Sequence, residues 1–159
     1  MVYFRMEPLA FILRPNKLED FLGQEKLVGI NGPIRKMIEN GKITSMIFWG
    51  PPASGKTTLA HIISKTIKAD FIKISAVIDG KEKLKEVLEK GNENRKLGIL
   101  TILFIDEIHR WSKAQQDALL PFVENGDITL IGATTENPSF TVISPLLSRS
   151  RVFVFEPHS

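Results

Sequence analysis

The feature that most constrains the fold of this chain is a glycine-containing segment, GPPASGKT at residues 50–57. An apolar run at residues 45–49 precedes it, and apolar residues recur at helical spacing after it. Two glycines five positions apart, followed by Lys56 and Thr57, match the Walker A pattern at each fixed position. A strand that enters such a loop and leaves it as a helix predicts a P-loop domain that binds a nucleotide.

The chemistry of this loop suits a triphosphate. Glycine has no Cβ and lets backbone N–H groups approach a phosphate closely, and the N-terminus of the next helix adds the positive end of its dipole. Lys56 is expected to contact the β- and γ-phosphates of ATP, and the Thr57 hydroxyl to bind Mg²⁺. The loop residues expected to bind the nucleotide are Gly50, Pro51, Pro52, Ala53, Ser54, Gly55, Lys56, Thr57 and Thr58.

Short apolar runs alternate with helical patterns along the chain, which is typical of βαβ units and a parallel sheet covered on both faces. A short helix is expected at residues 34–40. The predicted fold is an α/β domain of the P-loop type, with three α/β/α layers and a five-stranded parallel sheet. Its strands are predicted at residues 45–49, 71–75, 99–105, 128–133 and 152–155.

Two further helices have recognisable starting points. Asp79 and Glu82 have the spacing of a capping box, and so do Ser112 and Gln115. Pro121 is expected to bend or end the second of these helices, because proline lacks the N–H group that the helix interior needs.

Two carboxylates stand at the end of the third predicted strand, where the sequence TILFIDE closes with Asp106 and Glu107. Because ligands bind at the carboxyl ends of parallel strands, both acids are expected to face the nucleotide. Asp106 is predicted to hold Mg²⁺ directly or through water, and Glu107 to orient and polarise the attacking water. His109 completes the sequence DEIH; a structural role is favoured for it over a metal site or a helicase motif.

Polar residues at 134–137 follow the fourth predicted strand at the same sheet edge, and Thr135 is favoured for contact with the γ-phosphate or the water. Ser75, at the end of another strand, is a candidate to hydrogen-bond Glu107. Arg149 and Arg151 precede the last strand without an acidic neighbour in the sequence. Two interpretations of these arginines stay open, one as exposed surface charge and one as a group that reaches the nucleotide of a neighbouring subunit.

The composition limits the size of the fold, the chemistry of the chain and the compartment in which we expect it. A chain of 159 residues is the size of one domain, and the absence of cysteine excludes disulfides and thiolate chemistry. The N-terminus lacks a signal-peptide core, and the longest apolar run falls far short of the roughly 20 residues of a membrane helix. We therefore expect a soluble cytoplasmic protein. The net charge is +3, and the Lys and Arg residues are interspersed with Asp and Glu. This charge does not by itself establish nucleic-acid binding.

Together these motifs resemble the AAA+ ATPases, in particular the family that contains replication-associated recombination protein A and the Werner-helicase-interacting protein. The resemblance extends over residues 14–157 and includes SMIFWGPPASGKTTLAHII, ILFIDEIHR, QQDALLPFVE and LLSRSRV. The stretch ENPSF at residues 136–140 is the most family-specific of these motifs.

The resemblance implies several residue roles. Thr135 falls at the sensor-1 position of the family, and Arg149 at the position of the arginine finger that acts on a neighbouring subunit. Residues 14–25, RPNKLEDFLGQE, resemble the lead-in that packs against adenine, so Leu22 and Gly23 are expected to bind the nucleotide.

The resemblance also implies ATP and Mg²⁺ as cofactors and ATP hydrolysis as the activity. The implied partners are DNA ends, gaps or forks, replication proteins and further copies of the chain. No association with a membrane is implied. The implied role is replication-fork maintenance, recombination and repair by a cytoplasmic, nucleoid-associated protein.

The expected organisation is a lead-in at residues 1–32 and an AAA+ core at residues 33–159, without the helical lid of the family. The lid carries the sensor-2 arginine, so turnover is expected to be weak in this chain. Two departures from the family are mild: Ala53-Ser54 replaces the commoner Gly-Thr, and Trp111-Ser112 the commoner Phe-Asn.

The missing lid leaves open a nucleotide-binding assembly module that does not hydrolyse ATP. Another clamp-loader or branch-migration AAA+ ATPase is a second alternative, against which the ENPSF stretch argues. Half of a DExH-type helicase is disfavoured, because Lys56 lies only 50 residues before Asp106.

Overall fold

A parallel β-sheet forms the centre of the computed structural model, which describes residues 17–157. Its strands are β1 (Met46–Trp49), β2 (Asp70–Ser75), β3 (Thr101–Asp106), β4 (Thr129–Thr134) and β5 (Arg151–Val154). They lie in the order β2-β3-β4-β1-β5, and every neighbouring pair is parallel. The predicted five-stranded parallel sheet is confirmed, and the predicted strand ends are within two residues of those observed.

Helices connect the strands and cover both faces of the sheet. They are α1 (Glu25–Val28), α2 (Pro33–Asn40), α3 (Lys56–Thr66), α4 (Lys81–Lys96), α5 (Lys113–Glu124), α6 (Pro138–Thr141) and α7 (Ser144–Ser148). Single turns of 3₁₀ helix lie at Leu18–Asp20 and Ile108–Arg110. Within residues 17–157, no helix combines the length and the apolar character needed to cross a bilayer.

Two hydrophobic cores lie on opposite faces of the sheet, because successive side chains of a strand point to opposite sides. Phe48 and Phe104 enter the first core, where α2 and α3 pack. Ile47 and Ile105 enter the second core, where α4 and α5 pack. All four of these side chains are fully buried, which explains why the strands are apolar throughout and confirms the three-layer α/β/α fold.

Helix α5 begins with the predicted capping box. The Ser112 hydroxyl accepts a hydrogen bond from the backbone N–H of Gln115, and the Gln115 side chain accepts one from the backbone N–H of Ser112. The helix then continues through Pro121 to Glu124, so the proline does not end it.

Helix α4 begins differently from the prediction. It starts at Lys81, after Gly80, and no side chain of the described residues caps its first turn. The Asp79 carboxylate instead accepts a hydrogen bond from the backbone N–H of Ser75 at 2.8 Å. The predicted capping box of Asp79 and Glu82 is therefore wrong, because the Asp79 carboxylate binds the backbone of Ser75 and Gly80 occupies the N-cap position.

Candidate nucleotide-binding site

The Walker A segment joins β1 to α3 at the carboxyl edge of the sheet. Helix α3 begins at Lys56, and Gly55 before it has a φ of 98°. A positive φ of this size strains any residue that has a Cβ, whereas glycine adopts it readily. Gly55 thus lets the backbone turn sharply from the loop into the helix, whose first N–H groups have no partner within the helix.

Packing also requires a glycine at position 50. A Cβ on Gly50 would lie 2.6 Å from the Cβ of Phe155 and 2.8 Å from its carbonyl oxygen. The backbone N–H of Gly50 donates to the carbonyl of Thr134 at 3.1 Å. The start of the loop is therefore held against the ends of both strands that flank β1, a constraint that the sequence motif did not reveal.

Ala53, in the middle of the loop, also has a left-handed backbone conformation, with a φ of 60°. This conformation costs an L-residue about 1–2 kcal/mol, a cost that glycine does not have. Glycine also makes the unfolded chain more flexible, and this entropy offsets part of the stabilisation. We expect Ala53→Gly to raise the free energy of unfolding by up to about 1 kcal/mol, as measured by urea denaturation.

The control for this prediction is Ala118→Gly, at an exposed position inside α5. It should lower the free energy of unfolding by about 1 kcal/mol, because glycine disfavours the helix. A similar loss in Ala53→Gly would show that the loop backbone is not strained.

The side chain of Lys56 is buried against its own loop. Its ammonium group donates to the carbonyl of Gly50 and, at 2.8 Å, to the carbonyl of Pro51. Burial lowers the pKa of Lys56 from its ordinary value, and the negative charge of Asp106 partly opposes that shift. The ammonium group therefore lies within electrostatic reach of the carboxylate at the tip of β3.

A cavity of about 350 Å³ lies above the loop. It is open between the loop, the end of β3 and the end of β4, at the edge where α/β proteins bind ligands. Its lining residues are Pro52, Ala53, Ser54, Gly55, Lys56, Thr57, Thr58, Asp106, Glu107, Ala133, Thr134 and Thr135. Three groups predicted from separate parts of the sequence therefore share one cavity: the loop with Lys56, the acids Asp106 and Glu107, and Thr135.

The backbone of Glu107 is left-handed, with a φ of 57°. Residues with such backbone strain cluster at functional sites, where the surrounding structure holds them in place. The bend at Glu107 separates β3 from the 3₁₀ turn at Ile108–Arg110 and leaves Asp106 and Glu107 side by side in the cavity wall. One carboxylate thus lies at the tip of the strand and the next at the start of the turn.

His109 links the end of β3 to the loop after β4. Its Nδ1 lies 2.9 Å from the Thr134 hydroxyl and its Nε2 lies 3.3 Å from a carboxylate oxygen of Glu136. The imidazole is almost completely buried, with 5% of its side chain exposed. Residues 17–157 contain no group of three metal-binding side chains. The contacts of His109 support the structural role that was favoured for it.

Thr134 and Thr135 have different environments. Thr134 is buried, and its hydroxyl accepts from the backbone N–H of Glu136 at 3.0 Å. Thr135 is exposed and lines the cavity, and its contact with a phosphate or the attacking water stays a prediction. The Ser75 hydroxyl accepts from the backbone N–H groups of Val77 and Ile78, each at 3.3 Å, instead of contacting Glu107.

The lead-in reaches the phosphate loop through Gln24. The Gln24 amide nitrogen donates to the carbonyls of Ser54 at 3.2 Å and Glu156 at 2.7 Å. Its amide oxygen accepts from the backbone N–H of Glu156 at 2.9 Å. Sequence reasoning did not single out Gln24 for this role, although it lies in the lead-in motif.

Leu22 and Gly23 directly precede Gln24 in the chain, and neither of them lines the cavity. The Leu22 side chain is 80% exposed, so its apolar surface is accessible. Their contact with a nucleotide stays a prediction. The first part of the lead-in motif, residues 14–16, lies outside the described residues.

Arg149 does not line the cavity of its own chain. It follows α7, and its guanidinium forms an ion pair with Glu124 of α5 at 3.1 Å. Both side chains are partly exposed, at 49% and 41%. The arginine is therefore partly exposed at the surface of the chain.

The two predicted magnesium ligands fit the chemistry of that ion. The Thr57 hydroxyl and the Asp106 carboxylate line the same cavity, and oxygen atoms are the ligands that Mg²⁺ prefers. Mg²⁺ is commonly held by one or two such groups together with substrate phosphates and water, so a site with two protein ligands is sufficient.

The chain matches the model of the AAA family, ATPases associated with various cellular activities, over residues 46–157. The replication-associated recombination protein A of Haemophilus influenzae is 52% identical over 149 residues, which are 94% of this chain and 33% of that protein. The ATPase WRNIP1 of Dictyostelium discoideum is 48% identical over 94% of this chain and 17% of its own length.

Among solved structures, the Thermotoga maritima RuvB Holliday junction branch migration motor superposes with a TM-score of 0.69 and 32% identity. The match covers 91% of this chain and 48% of that one. The chain spans about a third of the length of the bacterial relatives that it resembles.

Proposed function

Because the chain belongs to the AAA family of ATPases and is a relative of replication-associated recombination protein A, we propose that it binds and hydrolyses Mg-ATP in DNA replication-fork maintenance, recombination and repair. One observation carries this proposal. Lys56, Asp106, Glu107 and Thr135 come from three separate segments of the sequence and line a single cavity.

The loop at residues 50–57 binds the triphosphate in this proposal. Its backbone N–H groups and the N-terminus of α3 bind phosphate oxygens, and Lys56 exchanges its contacts with the loop carbonyls for the β- and γ-phosphates. Leu22 and Gly23 contact the base, next to the clamp formed by Gln24.

The acids and the threonine act on the γ-phosphate. Glu107 orients the attacking water and accepts its proton, and Thr135 hydrogen-bonds the γ-phosphate or that water. Thr57 and Asp106 hold Mg²⁺, which neutralises charge on the phosphates when it is bound. His109 keeps the segments that carry Glu107 and Thr135 together.

The experiment that tests this proposal measures ATP binding and phosphate release with the purified chain, with and without Mg²⁺. We expect saturable ATP binding and a slow release of phosphate that requires Mg²⁺. An absence of saturable ATP binding by the folded chain would contradict the proposal at its first step.

DNA ends, gaps or forks are the proposed substrates on which the ATPase acts. The names of the relatives support this proposal, because they refer to replication, recombination and branch migration at a Holliday junction. The proposed assembly is a homo-oligomer in which Arg149 of one chain reaches the nucleotide of the next. The partial exposure of Arg149 and its absence from the lining of its own chain's cavity support that role.

We expect Arg149→Ala to reduce phosphate release at least about 10-fold without changing the affinity for ATP, since the arginine would act only on a neighbouring chain. The free energy of unfolding should change by less than about 1 kcal/mol, because the pair with Glu124 is exposed. Phosphate release by the variant and by wild type is compared at protein concentrations where wild-type turnover rises with concentration. Equal turnover of the two proteins there would exclude a role of Arg149 on a neighbouring chain.

The matched control is Glu124→Ala, which breaks the same ion pair and leaves the arginine in place. It should keep most of the turnover.

A further inference from the structure

A second cavity lies at the opposite edge of the sheet from the candidate nucleotide site. It has a volume of about 370 Å³. Its lining residues are Asn31, Pro33, Lys36, Met37, Asn40, Lys42 and Arg151. We call this lining the basic pocket. Of the residues that the structure describes, it contains three cations and two amide side chains but no acidic residue.

The basic pocket is assembled from three separate segments. Lys36 belongs to α2, Lys42 to the connection between α2 and β1, and Arg151 to the first position of β5. The backbone N–H of Arg151 donates to the carbonyl of Ser45 at 3.0 Å. The pocket therefore lies at the amino-terminal ends of β1 and β5, whereas the nucleotide cavity lies at the carboxyl ends of the strands.

The cations of the basic pocket are available to a ligand. Among residues 17–157, none of Lys36, Lys42 and Arg151 forms an ion pair within 4.0 Å, whereas Arg149 pairs with Glu124. The guanidinium of Arg151 lies 5.0 Å from the centre of the Phe153 ring, and this cation–π contact holds it on the strand. A charge that is already positioned loses little freedom when it binds an anion.

The chemistry of the lining favours phosphate groups. Arginine presents several N–H donors in a fixed plane that matches a phosphate, lysine adds a point charge, and the asparagine amides donate further hydrogen bonds. The three cations come from three different segments of the chain. Together they can neutralise more than one phosphate, which is what the backbone of a nucleic acid presents.

From this geometry we infer that the basic pocket binds the phosphate backbone of DNA. Backbone contacts of this kind supply affinity without sequence information, which suits the proposed action on DNA ends, gaps or forks. The inference rests on the proposed action on DNA, but it is independent of ATP binding and turnover.

The test measures binding of a fluorescent DNA duplex by anisotropy at several salt concentrations. For wild type, log affinity should fall linearly with log salt concentration. The variant with both Lys42→Gln and Arg151→Gln should lose about two units of that slope and about 60-fold in affinity at 0.1 M salt, because each lost phosphate contact contributes about 0.9 to the slope.

Two controls distinguish binding in the basic pocket from binding by surface charge or by the Walker A loop. The variant with both Lys90→Gln and Lys113→Gln removes the same charge from exposed positions on α4 and α5, and it should bind DNA with nearly the wild-type slope. Lys56→Ala should also bind DNA normally, because the Walker A loop is not the DNA site. Equal losses in the pocket variant and the exposed-lysine variant would overturn the inference, since the total charge of the chain would then account for binding.

Inorganic phosphate distinguishes a free anion from a nucleic acid. We expect millimolar phosphate to compete only as much as its ionic strength predicts. Displacement of the duplex by phosphate well beyond that effect would assign the pocket to a free anion and overturn the inference. In NMR titrations with the duplex, the backbone signals of Asn40 and Lys42 should shift more than that of Gly55.

The result also separates this inference from the proposed function. Loss of DNA binding in the pocket variant together with normal ATP binding is the expected outcome. Normal DNA binding by the pocket variant would overturn the inference that the basic pocket binds DNA and would leave the ATPase proposal unaffected. Absence of DNA binding by wild type would overturn both this inference and the proposed action on DNA. ATP binding is tested separately, by its own assay.

Discussion

Replacement of Lys56 by alanine is expected to weaken ATP binding by at least about 30-fold. Within residues 17–157, Lys56 carries the only ammonium group that lines the nucleotide cavity, and its burial keeps water from replacing the contact. Truncating one partner of a buried charged pair costs about 2–5 kcal/mol, which corresponds to losses in affinity from about 30-fold to several thousand-fold. Titration with a fluorescent ATP analogue measures the change directly.

The pKa of Lys56 adds a dependence on pH to this prediction. Burial lowers the pKa of Lys56 below its ordinary value, whereas a bound triphosphate favours the charged ammonium. The affinity of wild type for ATP should therefore be highest where Lys56 is protonated and should fall as the pH rises through the lowered pKa. This dependence should be absent from Lys56→Ala, because alanine has no group that titrates.

The control for this substitution is Lys113→Ala, at the exposed first position of α5. It removes the same charge and should leave the affinity for ATP unchanged. Circular dichroism establishes that both variants are folded. A folded Lys56→Ala chain that binds ATP as tightly as wild type would exclude the loop as the phosphate site.

Replacement of Glu107 by glutamine should reduce phosphate release by about 100-fold or more and leave ATP affinity nearly unchanged. Glutamine has almost the same shape but cannot accept the proton of the attacking water, and general-base catalysis contributes about 10² to 10⁴ in rate. Affinity should be kept because Lys56 and the loop, and not Glu107, contact the phosphates in the proposed site. Single-turnover measurements at saturating Mg-ATP separate the two quantities.

The control here is Glu86→Gln, at an exposed position of α4. It should retain wild-type turnover. If Glu107→Gln hydrolysed ATP at the wild-type rate, Glu107 would not be the base. If it lost binding and turnover together, the carboxylate would support the loop instead of the water.

Much of the candidate site could be predicted from sequence because each part depends on a local pattern. The Walker A motif combines residues that are neighbours in the chain, and Asp106 and Glu107 directly follow an apolar strand. The rule that ligands bind at the carboxyl ends of parallel strands then brings these segments together. Their common cavity agrees with this reasoning.

The features that the sequence did not predict depend on contacts between distant segments. Asp79 has the spacing of a helix cap, yet its carboxylate turns to the backbone of Ser75, because the loop after β2 offers an alternative donor. Gln24 clamps the lead-in to Ser54, 30 residues further along the chain. No local pattern distinguishes such a glutamine from an ordinary surface residue.

Local patterns in the sequence are sufficient to predict the fold class, the five strands, the Walker A loop and the acids after β3, because hydrophobic period and glycine placement act over a few residues. The contacts between distant segments become visible only in the folded chain, where Gly50 must accommodate Phe155 and His109 joins the segments that carry Glu107 and Thr135. The same holds for the two arginines, since Arg151 lines the basic pocket whereas Arg149 pairs with Glu124. The reason is that these properties arise where separate strands and helices meet, and the order of sheet strands differs from the order of the chain.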